Sequence, residues 1–198
     1  MAELTLENMQ RAGFPVGAEP LVALDLADTV LLIAEPPVDL FDPPGRIAQW
    51  WSLERPRLPA GPPPEPAATR RLRAAIRDLF DAHLAGRAPE PTSVADLNAA
   101  VAAAPTSLRL TGSDGQARAE TRWHTEHGGN AALAAIAREA IELLANPERL
   151  RRLRRCANPA CSMLFLAENA RRQWCTANIC GNRARVARHY ERTHAAPA

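Results

Sequence analysis

The sequence predicts an α+β protein: a helix-rich N-terminal domain with a small antiparallel sheet, then a small C-terminal module gathered round four cysteines. Three observations predict it. Apolar residues recur at three- and four-residue spacing from Leu72 to Leu84 and again from Leu133 to Leu144. Residues 116–123 alternate in polarity after a turn-forming Gly-Ser-Asp-Gly run. Cys156, Cys161, Cys175 and Cys180 form a Cys-x4-Cys-x13-Cys-x4-Cys pattern, and no cysteine lies outside it. Helices repeat every 3.6 residues and strands every 2, so the first two patterns separate the element types.

In chain order, a strand is expected near residues 20–25. Two proline-rich stretches, 35–44 and 56–66, read as ordered loops or stiff connectors, because proline lacks the amide donor and fixes φ. A short helix is expected between them at 47–53. From Ala67 a helix carries Leu72, Ala75, Ile76, Leu79, Phe80, His83 and Leu84 on one stripe, and Gly86 stands at its C-terminal stop. A shorter helix carries Val94, Leu97 and Val101, with Thr92 or Ser93 as its cap and Pro105 beyond its end. Residues 108–111 and 116–123 form a hairpin that buries Ala117, Ala119, Thr121 and Trp123. A long helix at 130–145 buries Leu133, Ile136, Ala137, Ala140, Ile141 and Leu144. Asn146-Pro147 ends it and opens another helix reaching Arg155, since Asn caps well and Pro suits the first helical turn. The expected domains are 1–146 and 147–198.

Composition narrows the class. The chain has 198 residues, 46% of them hydrophobic, enough for a sizeable core. All 24 basic residues counted as Lys or Arg are arginine, which with abundant Ala and Pro points to a GC-rich, bacterial coding bias. The longest apolar stretch, 21–34, is interrupted by Asp25 and Asp28, too short and too charged to span a bilayer. No secretory signal is read at the N-terminus, so a cytoplasmic location is expected. The net charge of +2 hides an asymmetry. Residues 1–148 hold 13 Arg against 20 Asp and Glu, a net of −7, whereas residues 149–198 hold 11 Arg against Glu168 and Glu191, a net of +9. Such a tail suits a polyanion, because a guanidinium meets phosphate through a planar donor fork. Docking on its own acidic N-terminal half is the alternative source of the asymmetry.

The cysteine spacing points to one structural Zn2+. Zinc favours four tetrahedral ligands, and two cysteine pairs separated by a loop deliver four sulfurs to one point. A reducing compartment disfavours disulfides, a redox pair usually has two intervening residues, and four thiolates close the shell that catalytic zinc keeps open. Residues 163–166 are expected as a strand, 168–172 as a turn and 173–174 as its return. A helix at 179–194 follows with Cys180 in its first turn, where the dipole favours a thiolate. Knuckle, hairpin and ligand-bearing helix make a treble-clef arrangement. Gly181 lets the backbone pass close to the metal, while Asn182 and Arg183 suit bracing of the ligands.

The run Arg155-Cys156-Ala157-Asn158-Pro159-Ala160-Cys161, then Leu164-Phe165-Leu166, Trp174-Cys175 and Cys180-Gly181-Asn182-Arg183 resembles the CGNR zinc-finger family. Its members join a C-terminal treble-clef finger to an N-terminal α/β region, the ABATE domain, and are proposed to be transcription regulators. Gly17-Ala18-Glu19-Pro20 followed by residues 24–30 resembles the opening motif of that domain. Two departures stand out: Asp28 replaces the usual Asn of that motif, and the loop between the cysteine pairs is slightly short.

The leading functional expectation is a DNA-binding regulator. Arg151, Arg152 and Arg155 lie before the first ligand, Arg171 and Arg172 at the hairpin tip, and Arg183, Arg185, Arg188 and Arg192 on the last helix. Of these, Arg185, Arg188 and Arg192 share one face, while Val186, His189 and Tyr190 are expected to pack on the hairpin. RNA and protein partners remain open, and a homodimer is compatible with the sequence. Trp50, Trp51 and Trp123 are the candidate walls of an effector pocket, with core packing as the other reading. The catalytic-looking group His124-Thr125-Glu126-His127 has no second carboxylate or nucleophile at a tied spacing, so no enzyme and no membrane partner is expected.

Overall fold

A computed structural model describes residues 4–33, 35–112 and 116–194. Its helices are α1 (Leu6–Arg11), α2 (Val22–Ala27), α3 (Arg46–Glu54), α4 (Pro66–Ala85), α5 (Pro91–Ala102), α6 (Ala131–Leu144), α7 (Pro147–Leu150) and α8 (Asn182–His194). Three two-stranded antiparallel sheets complete the described residues: β1 (Val30–Leu31) with β2 (Val38–Asp39), β3 (Thr106–Thr111) with β4 (Arg118–Trp123), and β5 (Leu153–Arg155) with β6 (Leu164–Leu166).

The centre of the fold is α2, every residue of which is buried. It packs between α4, α6 and β6. The segment 20–25, expected as a strand, is therefore helical. Residues 21–27 read Leu-Val-Ala-Leu-Asp-Leu-Ala, and a helix enclosed on all sides loses its amphipathic signature, leaving a run that resembles a buried strand. Its first turn has no side-chain cap from Leu21; instead Glu139 on α6 accepts the Ala23 N–H at 3.1 Å.

The long amphipathic helices follow their periodicity. On α4 the buried stripe includes Leu72, Ala75, Ile76, Leu79 and Phe80, and Gly86 ends it at φ 64°, a left-handed position that costs glycine no Cβ clash. Asn130 caps α6 by accepting the Ala132 and Leu133 amides. The start of α5 differs from expectation: Glu90 is the N-cap and Pro91 opens the helix, placing Ser93 inside the first turn.

Two expected elements take a different form. The helix from Pro147 stops at Leu150, and residues 153–155 are strand β5, paired with β6 in the register Leu153↔Leu166. Pairing buries Leu153 against the main core, where a helix would have kept it beside Leu150 on one face. The β3–β4 hairpin forms, but its faces are solvated: Leu108 and Leu110 are 79% and 78% exposed. Alternation fixes the strand character, whereas burial depends on a partner surface that no described element supplies. The turn residues 113–115 lie outside the described residues.

One core spans both halves of the chain. It gathers Met9, Phe14, Leu24, Leu26, Phe41, Trp50, Ile76, Phe80, Ile136 and Leu143 with Leu153, Leu164 and Leu166. Each fully buried Leu of this set contributes roughly 2 kcal/mol by removal from water. A satellite cluster joins Val16 to Cys156, Met163, Phe165, Cys175 and Cys180.

Candidate metal centre and the surface around it

The four cysteine sulfurs lie within 4.8 Å of one another. Cys156 follows β5 and Cys161 precedes β6, so the β5–β6 hairpin closes the first pair; the Cys156 amide donates to the Met163 carbonyl at 2.9 Å. Cys175 and Cys180 form the second pair, and Cys180 sits in a π-helical turn, Ala177–Gly181, that runs into α8. The expected return of 173–174 onto 163–166 is not the one formed. The inner strand pairs with β5, and the Gln173 carbonyl instead accepts from Ala157 at 2.9 Å.

The crowding dictates the chemistry. Burial first, then neighbouring thiols, push Cys156 up to about 11. Hydrogen bonding to Cys161 first, then burial, push Cys175 up, while the Cys175 thiol beside Cys161 draws that one down to about 5. The two sulfurs are 3.8 Å apart. Four thiolates so close ionise together only around a cation, and a closed tetrahedral sulfur set suits zinc. The four-cysteine cluster thus holds one metal ion, in the manner of a structural zinc finger. The Asn158 side-chain amide donates to Cys180 Sγ at 3.5 Å, and its carbonyl oxygen turns the knuckle by accepting from Ala160. Gly181 is buried, its Cα facing the Trp174 ring and the Thr176 carbonyl; a Cβ there would stand 3.4 Å from Trp174 Cδ1. Asn182 is exposed and opens α8.

Docking of this module on the N-terminal helices is highly polar. Asp28, 2% exposed, accepts the Leu164 amide on both carboxylate oxygens at 3.0 and 2.9 Å and pairs with Arg77 at 3.2 Å. Arg77 in turn donates to the Ser162 carbonyl at 2.6 Å. Burial pushes the Asp28 carboxyl up, opposed by Arg77 and the Leu164 N–H. Glu19 ion-pairs with Arg172, which also donates to the Leu166 and Cys175 carbonyls and lies 4.4 Å over the Phe165 ring. Arg155 pairs with Asp81 on α4 at 2.7 Å. The docking roles of Asp28, Arg77, Glu19 and Ser162, and the ligand contact of Asn158, have no local signature in the sequence; the acid at the usual Asn of the opening motif is the one visible signal.

The predicted arginines therefore divide. Arg155 and Arg172 are occupied in docking, so part of the charge asymmetry is internal. Arg151 pairs on the surface with Glu148, and Arg152, Arg171 and Arg183 are exposed. Arg185, Arg188 and Arg192 are exposed on α8. The expected packing of Val186 and Tyr190 does not occur: both are 62% exposed. His189 is exposed as well. Among the described residues, helix α8 extends from the metal site largely exposed, because the hairpin meant to receive it packs against α4 and α2.

Trp50 and Trp51 are core residues packed edge to face at 4.9 Å, and Trp123 is half-buried on β4, apart from them. None of the three lines the cavities of about 660 and 580 Å³. His124 bonds Ser107 at 2.7 Å and approaches Glu126 at 3.6 Å on the exposed loop after the hairpin. Among the described residues no helix is long and apolar enough to cross a membrane.

Comparison with known proteins gives two family matches. The profile of the ABATE family, described as "Putative stress-induced transcription regulator", matches residues 21–147. That of the CGNR zinc finger matches residues 152–193. No curated protein matches the chain.

Proposed function

The chain belongs to the ABATE family and ends in a CGNR zinc finger, and from that premise we propose that it is a zinc-dependent DNA-binding regulator whose N-terminal region senses a small molecule. The observation that carries the DNA reading is α8. It begins two residues after the last metal ligand, projects from the finger, and presents Arg185, Arg188 and Arg192 on one exposed face. A metal-braced helix orients guanidinium groups towards successive phosphates at little entropic cost. Arg151, Arg152, Arg171 and Arg183 extend the same exposed charge around the knuckle, and such contacts position a protein on the duplex without reading bases.

Binding to duplex DNA in a salt titration tests this. Log K is expected to fall with log salt at about 0.9 per neutralised phosphate, and Arg188→Ala or Arg192→Ala to reduce that slope by about one each. Absence of duplex retention at low salt overturns the reading. The exposed Val186 and Tyr190 favour a second reading, in which α8 docks a protein; replacing both with Ser then abolishes partner binding while leaving any DNA affinity in place.

A further inference from the structure

The 660 Å³ cavity lies where the finger meets the N-terminal helices. The finger contributes Glu168, Arg172, Cys175 and Thr176 to it, and the N-terminal region contributes Leu4, Leu6, Val16 and the 17–20 segment with Pro56 and Arg57. Two polar groups there are underused. Thr176 is 5% exposed, and its Oγ1 is buried with no hydrogen-bond partner among the described residues. A buried orphan hydroxyl costs about 1–3 kcal/mol unless something meets it. Arg57 has a side chain 22% exposed. Its Nη1 donates to Asp25 at 2.6 Å and Glu54 at 2.8 Å, and its Nη2 to the Glu19 carbonyl. Nε–H and one Nη2–H remain without partners among the described residues, the donor types a guanidinium uses for side-on recognition of a carboxylate.

We propose that this cavity is an effector site for a small organic acid, its carboxylate on Arg57 and the Thr176 hydroxyl and its apolar body against Leu4, Leu6, Val16 and Pro56. The inference rests on the sensing half of the proposed function and is independent of DNA binding. Charge supports it. Arg172 is neutralised by Glu19, and Glu168 is exposed, where solvent and salt screen it. Behind Arg57, burial favours one proton on the Asp25–Glu54 pair, so an added carboxylate does not meet two ionised acids. Because the lining comes from both halves of the chain, an occupant would touch the residues that seat the finger, Glu19 and Arg172 among them.

The test uses the zinc-loaded full chain without DNA. Hexanoate and benzoate are titrated by calorimetry and thermal shift, beside hexanol and benzyl alcohol, which keep the apolar bodies and lose the charge. The acids are expected to bind and raise the melting temperature, and the alcohols to do neither. Thr176→Val and Arg57→Lys are each expected to weaken acid binding by about tenfold or more, the worth of a hydrogen bond to a charged group, with zinc content unchanged. If Arg57→Lys does not fold, Thr176→Val carries the comparison. Equal responses to acid and alcohol, no response to either acid, or acid binding untouched by Thr176→Val overturns the proposal. A chain that binds acids but not DNA upholds this site and fails only the DNA reading.

Discussion

Asp28 carries more structural weight than its single side chain suggests, since it satisfies the Leu164 amide from the finger and the Arg77 guanidinium from α4 at once. Asp28→Ala leaves the buried Leu164 amide without an acceptor and Arg77 with Asp81, at 2.9 Å, as its remaining carboxylate, which costs about 3 kcal/mol. Asp28→Asn keeps the shape and one acceptor oxygen, and is expected to cost clearly less, about 1–2 kcal/mol; urea unfolding of both variants checks the order. A second residue-scale consequence concerns pH. Glu54 is fully buried beside Asp25, with Arg57 between them and the protein interior behind. Burial first, then the Asp25 charge, raise Glu54 to about 8, and burial raises Asp25 to about 6. Both folded-state values lie above the unfolded ones, so the folded protein holds more protons in this window. Stability from this pair is complete below about pH 4 and declines as pH rises through 6 and 8. Glu54→Gln mimics the protonated acid and leaves Asp25 to Arg57. Melting temperature plotted from pH 5 to 8 should therefore slope downward less in this variant than in the wild type; an unchanged slope assigns the pH dependence to other groups.

Among the elements, the β3–β4 hairpin and the β5–β6 hairpin make opposite predictions although both are short antiparallel pairs. Leu108 and Leu110 project from the first into solvent, so Leu108→Thr with Leu110→Thr should change unfolding free energy by no more than about 0.5 kcal/mol each. Leu164 and Leu166 of the second are buried in the main core, and Leu164→Ala should cost about 2–5 kcal/mol in the same denaturant titration. The sequence shows the contrast poorly. Alternation at 116–123 and apolar content at 163–166 are visible, but which hairpin finds a partner surface is decided by tertiary contacts with α2 and α4. Periodicity is sufficient for α4 and α6, where one face is buried and one solvated. It is insufficient for α2, buried all round, and for residues 153–155, where a single buried Leu153 fits a helix or a strand equally well. The four metal ligands are legible because ligand chemistry fixes residue type and spacing together. The polar contacts that seat the finger are not, because Glu19 to Arg172 and Asp28 to Leu164 span more than 130 residues with no local signature.

For the molecule as a whole, the shared core makes zinc a determinant of more than the finger. Leu153, Leu164 and Leu166 belong to the same apolar cluster as Trp50, Ile76 and Ile136, and Val16 from the N-terminal region packs with the cysteines. A finger that loses its metal releases four thiols whose crowding is then unfavourable, and the β5–β6 hairpin loses the closure that holds it against α2. Structural zinc contributes directly to folding free energy in such small modules. Because the hairpin packs on α2 and α4, its release uncovers them, and the loss propagates into the N-terminal helices instead of stopping at residue 152. Calorimetry of the zinc-loaded chain is therefore expected to give one unfolding transition. Chelation, or Cys156→Ser, should lower its temperature and reduce bound zinc from one equivalent towards none. A fragment ending at residue 147 should be less stable than the whole chain and prone to aggregate through the exposed face of α2. Two separate transitions, with the N-terminal one indifferent to chelator, would show the halves to be thermodynamically independent despite their common core.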